Sequence, residues 1–358
     1  MKKIRVGVIY GGRSGEHEVS IASAASIFKH LDRGKYEAVP LRIEKDGRWV
    51  LSGRVPTAIS AADVLKEAHT EALQTVEPVR AVSSSGIDVV FPVLHGPYGE
   101  DGTVQGLLEL ANVAYVGAGV LGSAVGMDKA VMKTLFAAHG LPVGPYLVVM
   151  RREWAQDPAG IARRVDAELG YPIFVKPANL GSSVGISKAR SAAELTEAMV
   201  LALQFDRKIV IEAAVPDARE IECAVLGNDE PLASVPGEVI PSREFYDYEA
   251  KYLDEGGSRT LIPAPLTEQQ SAEIRRLSIA AFRAVEGAGM ARVDFLMAGD
   301  TGAIHLNEVN TIPGFTTISM YPKMWEASGL SYPELLDRLI SLALERHAEK
   351  QQLRTSIT

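Results

Sequence analysis

ARVDFLMAGDTGAIHLNEVNTIPG, residues 291–314, holds two apolar runs around a turn-rich centre, Ala298-Gly-Asp-Thr-Gly302. Both runs alternate apolar and polar positions, which predicts a β-hairpin. Alternate side chains of a strand share a face, so Leu306, Glu308 and Asn310 project together, as do Arg292 and Asp294. Asp294 and Glu308 each stand seven positions from Thr301, so in a hairpin without a bulge they oppose each other. Two opposed carboxylates repel. A bound cation turns that cost into a site. With Asn310 the donors are all oxygen, which suits Mg²⁺ better than zinc. Mg²⁺ held by few carboxylates usually shares its shell with phosphate, so the next question is where phosphate would sit.

No G-x-x-x-x-G-K-[ST] phosphate loop occurs. Instead Lys176 ends the apolar run PIFVKP, and Gly181-Ser182-Ser183-Val184-Gly185 follows, a small loop whose N–H groups and hydroxyls could wrap phosphate oxygens. Lys129, just inside a helix N-capped by Asp128, is a second candidate cation. Gly117-x-Gly119-x-x-Gly122 formally matches a dinucleotide fingerprint, but GLPVGP occupies the place of the acidic residue expected roughly 20 positions on. A nicotinamide dehydrogenase would also leave the acidic hairpin without a use. A non-catalytic ligand-binding protein would need neither the placed lysines nor the paired carboxylates.

The chain has 358 residues, enough for two or three domains. Its 45 acidic and 37 basic residues give a formal charge of −8, which offers no electrostatic case for nucleic acid or an anionic membrane and leaves a small molecule as the expected partner. One cysteine, Cys223, excludes an intrachain disulfide framework. No apolar run approaches the roughly 18 residues of a membrane span, and the apolar patch of MKKIRVGVIY ends at Gly11-Gly12, too soon for a signal peptide. A cytoplasmic location is expected.

Strand, glycine turn and helix follow one another in IRVGVIYGG and EHEVSIASAASIFKHL, and IDVVFPVLHG, TVQGLLELA and NVAYVGAG repeat the alternation. The first 120 residues or so therefore predict an α/β domain with a parallel sheet. Residues 54–85 give no clear pattern. In MDKAVMKTLFAAHG a helix is expected with a stripe of Val131, Met132, Leu135 and Phe136 and a stop at Gly140. PYLVVM, PIFVKP, KIVIEAAV, EIECAVLG and LASVPGEVI predict strands, residues 191–204 a helix, Thr267-x-x-Gln270 a capped helix start, and the polar tail beyond about 348 a frayed end.

Taken together, GGRSGEHEVS, LHGPYGEDGTVQG, MDK, IFVKPANLGSSVG, FYDYEAKY, ARVDF and NEVNTIPGFT, in this order, resemble the D-alanine–D-alanine ligase family of the ATP-grasp superfamily over residues 4 to 340. The resemblance implies an ATP-grasp fold of α/β and α+β character preceded by an N-terminal parallel-sheet α/β domain. The expected divisions are 1–120 for substrate, 121–211 for the central subdomain and 212–358 for the C-terminal subdomain with the metal site and a mobile loop. It implies ATP-dependent joining of two D-alanines for peptidoglycan, through an acylphosphate. The alternatives are D-alanyl-D-lactate formation or another ATP-grasp carboxylate–amine ligase.

By the same resemblance Asp294, Glu308 and Asn310 hold two Mg²⁺ ions, for which Mn²⁺ could substitute. Lys129, Lys176, Ser183 and Lys251 serve phosphates, Glu220 the ribose, and Glu212 to Val215 the adenine, with Ala213-Ala214 departing from the more polar residues of some relatives. Glu16 takes the first amino group, and Ser182 and Tyr252 are linked to it in closing a loop, with Gly256-Gly257 as its hinge. His95 and Glu100 border the first substrate, Arg292 and the Gly314 N–H serve the oxyanion, and Ser319 with Gly314 receives the second carboxylate. A tyrosine at 252 resembles the dipeptide-forming type, and a homodimer is implied.

Overall fold

The alternation in Ile4–Gly11 (β1) sends Val6, Val8 and Tyr10 to one face and Ile9 to the other, and both faces are buried. A strand covered on both sides belongs in the middle of a parallel sheet. With Tyr36–Ile43 (β2), Trp49–Leu51 (β3), Gln74–Thr75 (β4), Val89–Pro92 (β5) and Ala114–Tyr115 (β6), it forms a sheet in the order β4-β3-β2-β1-β5-β6. The run β2-β1-β5-β6 is parallel, and β3 and β4 add an antiparallel edge. The computed structural model describes all residues except 1, 52–54, 59, 67–73, 84–85, 242–257, 355 and 357–358. Lys251, Tyr252 and the Gly256-Gly257 hinge lie outside the described residues.

A second sheet contains Tyr146–Met150 (β7), Ile173–Pro177 (β8), Ser187–Ala189 (β9) and Lys208–Ala213 (β10), in the antiparallel order β7-β10-β8-β9. The third is built from Arg219–Gly227 (β11), Leu232–Ala233 (β12), Gly237–Pro241 (β13), Ser258–Leu261 (β14), Gly289–Met297 (β15) and Ile304–Asn310 (β16). Its order is β14-β13-β11-β15-β16, with β12 beside β11. The single strand expected at LASVPGEVI is thus two, β12 and β13.

The helix Lys129–Ala138 is capped as expected, the Asp128 carboxylate accepting from the Ala130 and Val131 N–H groups. Its buried face differs from the expected stripe. Met132 and Phe136 enter the core below the third sheet, Val131 is exposed, and Lys133 is buried in its place. At the C-terminal end the helix Tyr332–Gln351 reaches three residues past 348, where fraying was expected to begin. That helix lays Leu335, Leu336 and Leu339 into a core shared with Val6, Val8 and Phe91 of the first sheet, so the C-terminal helices pack on the N-terminal sheet. Phe315 is central there, its ring 5.5 Å from that of Phe91 and 5.6 Å from that of Tyr321.

Of the three fingerprint glycines, Gly117 has φ +94°, and a Cβ at Gly122 would meet the Glu286 carbonyl oxygen at 2.3 Å. One turns the chain and the other permits close packing, which accounts for the pattern without a dinucleotide.

Candidate active site

The hairpin of β15 and β16 pairs Asp294 with Glu308, as expected, and Arg292 with Asn310, but the premise of a hairpin without a bulge fails. The register shifts between Asp294 and Phe295, because Phe295 pairs with Leu306 and Asn307 is an extra residue. Leu306 therefore turns into the core with Val309 and does not share the face of Glu308. The bulge frees Asn307 to reach the site, where its Oδ1 accepts from Lys176 Nζ at 3.4 Å.

The acids of this face carry compact cationic partners. The Arg292 fork donates from Nε to Asp294 Oδ1 at 2.7 Å and from Nη2 to Oδ2 at 2.6 Å, and Nε lies 3.1 Å from Glu222 Oε2. Asn310 Nδ2 donates to Asp294 at 2.9 Å, and Lys129 Nζ lies 3.4 Å from Glu308 while donating to the Leu180 carbonyl at 2.8 Å. Guanidinium and ammonium thus offset the repulsion of the facing carboxylates. No group of three or more His, Cys, Asp or Glu suited to a metal occurs among the described residues. Two carboxylates and an amide oxygen instead fit a hard cation that completes its shell with phosphate oxygens, once the Asn310 amide turns its oxygen inward.

A cleft of about 870 Å³ opens over this face. Lys129, Lys176, Glu212, Val215 and Glu220 line it at one end, Ser182 and Ser183 from the loop, and Glu100, Gly314 and Ser319 from the other end. Lys176 takes its carboxylate partner from within the protein. Its Nζ donates to Glu212 Oε2 at 2.8 Å, and Lys133, which the sequence reading missed, lies 3.2 Å from Oε1 of the same carboxylate. Burial favours a neutral Glu212, yet the two lysines overcome it and pull its carboxyl down to about 2. For Lys176, burial opposes the charge, but Glu212 prevails and its pKa rises; for Lys133 burial prevails and its pKa falls.

At the other end, Glu16 precedes the helix His17–His30 without capping it, and its carboxylate accepts from Ser182 Oγ instead. Ser182 and Ser183 hold φ of +50° and +58°, a left-handed backbone that side chains rarely adopt. Gly181 is packed tightly, since a Cβ there would meet Glu16 Oε2 at 2.9 Å. Glu100 accepts from the Gly96 N–H at 2.7 Å, and burial, followed by the nearby Glu16 charge, pushes its pKa up to about 8. His95 donates from Nδ1 to the Ile312 carbonyl at 3.1 Å. Its Nε2 has no hydrogen-bond partner among the described residues, and burial lowers its pKa, which favours the neutral imidazole. A Cβ at Gly314 would meet Ser319 Oγ at 2.8 Å, and that hydroxyl already accepts from the Thr316 N–H at 3.0 Å.

Two antiparallel sheets, with this cleft over the second of them, preceded by a largely parallel α/β layer, make up an ATP-grasp fold. The family description of the D-ala D-ala ligase C-terminus matches residues 135–341 and that of its N-terminus residues 5–118. The chain belongs to the D-alanine–D-alanine ligase family.

Among curated relatives, the D-alanine–D-alanine ligase of Thermoanaerobacter sp. is 52% identical, with 98% of this chain and 99% of that protein covered. The one of Geobacillus thermodenitrificans is 49% identical, with 98% of each covered. Among solved structures, the D-alanine–D-alanine ligase of Coxiella burnetii is 39% identical with a TM-score of 0.83, covering 98% of this chain and 97% of that one. The VanG D-Ala:D-Ser ligase of Enterococcus faecalis is 34% identical with a TM-score of 0.82, covering 96% and 100%.

Proposed function

We propose that this chain joins two D-alanines into D-alanyl-D-alanine for peptidoglycan, converting ATP to ADP and phosphate. The observation that supports it most is the single cleft that runs from the Lys129, Lys176 and Glu308 group to the Glu16–Ser182 contact. One end suits a polyphosphate and the other an amino acid. The names of relatives about half identical over nearly the whole chain support the same substrates.

A carboxylate is a poor acyl donor because oxide would have to leave. Moving the γ-phosphoryl group of ATP onto the first D-alanine makes an acylphosphate, from which phosphate leaves when the second amine attacks. Lys129 and Lys176 would hold the phosphates, with Lys251, and Glu220 and the 212–215 segment the nucleoside. Asp294, Glu308 and Asn310 would hold Mg²⁺, which when bound neutralises charge on the phosphates. Glu16 would take the first ammonium, and His95 and Glu100 would border it. The Arg292 guanidinium and the Gly314 N–H would donate to the oxyanion, and Ser319 would receive the second carboxylate.

Ser182, on the strained loop, would pass closure of the Tyr252 segment to Glu16 and exclude water from the acylphosphate. The divisions 1–120, 121–211 and 212–358 and a cytoplasmic homodimer belong to the same reading; among the described residues no helix is long and apolar enough to cross a membrane. Glu16→Gln tests the substrate end, with KM for D-alanine expected to rise about tenfold or more and nucleotide binding to persist. An unchanged KM would remove Glu16 from the role.

A further inference from the structure

One buried cation has no part in that mechanism. Lys133 follows Lys129 by four residues on the helix Lys129–Ala138, so both side chains leave the same face. Its side chain is only 4% exposed, and it lies behind Lys176 and Glu212, which line the cleft. Glu212 places one oxygen 3.2 Å from Lys133 and the other 2.8 Å from Lys176.

Two ammonium groups and one carboxylate leave the cluster with one surplus positive charge. A Glu212–Lys176 pair alone would be neutral. Lys176 could then serve an anionic phosphate only by abandoning a buried carboxylate, which is costly. With Lys133 in place, Glu212 keeps a partner when Lys176 turns away.

We propose that Lys133 is a positioning residue for phosphate: by holding Glu212 from behind the cleft, it releases the Lys176 charge for the polyphosphate of a nucleotide. The proposal rests on the nucleotide reading above and makes a charge-specific claim. Removing the Lys133 charge weakens binding of ADP and ATP but not of adenosine.

The test is calorimetric titration of the full chain with ADP, ATP and adenosine, without D-alanine. Lys133→Met and Lys133→Gln are each expected to bind ADP and ATP about tenfold or more weakly and adenosine as the parent does, while Lys133→Arg stays within about threefold. Should Lys133→Met not fold, Lys133→Gln retains a donor for Glu212. The double variant Lys133→Gln with Glu212→Gln removes the carboxylate that traps Lys176, and is expected to bind ADP more tightly than Lys133→Gln alone.

Unchanged ADP affinity in the single variants, a parallel loss for adenosine, or a further loss in the double variant would each overturn the proposal. Failure of the parent chain to bind ADP and ATP would instead overturn the nucleotide reading itself, and this proposal with it.

Discussion

Arg292→Lys keeps the charge at the centre of the site and removes the fork. The guanidinium reaches Asp294 through two nitrogens at 2.7 and 2.6 Å and Glu222 at 3.1 Å. An ammonium on a shorter stem cannot span these partners and the reacting carbonyl at once. The side-chain network loses at least one charged hydrogen bond, worth about 1.5–3 kcal/mol, which lowers stability. The reaction loses an oriented oxyanion donor, worth about 2.7–4 kcal/mol, or 10²–10³ in kcat. Steady-state phosphate release should therefore fall about 100- to 1000-fold in kcat, with KM for ATP and D-alanine within about threefold, because the donor acts in the transition state. A kcat within tenfold of the parent, or a loss confined to KM, would refute the role given to Arg292.

Other perturbations separate the parts of the account. Gly181→Ala drives a Cβ to 2.9 Å from Glu16 Oε2, so KM for D-alanine should rise about tenfold while ADP affinity holds; equal kinetics would show that the loop yields without cost. Phe315→Ala empties a fully buried ring site between the N-terminal sheet and the C-terminal helices and should cost about 3–5 kcal/mol in denaturant unfolding; less than about 1 kcal/mol would contradict the shared core.

Glu100 has a folded pKa raised to about 8 from an ordinary 4.5, so the folded state binds its proton more tightly than the unfolded chain does. Its contribution is full below pH 4.5 and is lost as pH rises through 8. Glu100→Gln removes that slope. Its Tm relative to the parent should therefore climb by about 2 °C or more between pH 5 and 8, and a flat difference would contradict the raised pKa.

The fold was legible where period and punctuation were strong. Alternation in β1 and in the 291–310 hairpin, the Asp128 cap and the Thr267 capping box each carried a local physical signature. What escaped depended on tertiary neighbours. The bulge at Asn307 leaves no mark in the alternation, because the turn centre shifts by half a residue and the extra residue restores the Asp294–Glu308 pair. Lys133 reads as an exposed polar position until Glu212, 79 residues on in the chain, is folded against it.

The frayed tail was a composition argument, and the packing of Leu335 to Ala343 on the first sheet moves its start by only a few residues, carrying the helix to Gln351. Within the site, the types and spacing of the acids and lysines were readable one by one. Which partner each takes was not, as Lys176 on Glu212 and Arg292 between Glu222 and Asp294 illustrate.

The most direct test of the central claim is phosphate release from ATP with Mg²⁺ and D-alanine, against L-alanine and against D-alanine with D-lactate, with the product identified by mass. The account predicts release that depends on D-alanine and yields its dipeptide. Release without D-alanine, or a product other than the dipeptide, would contradict it.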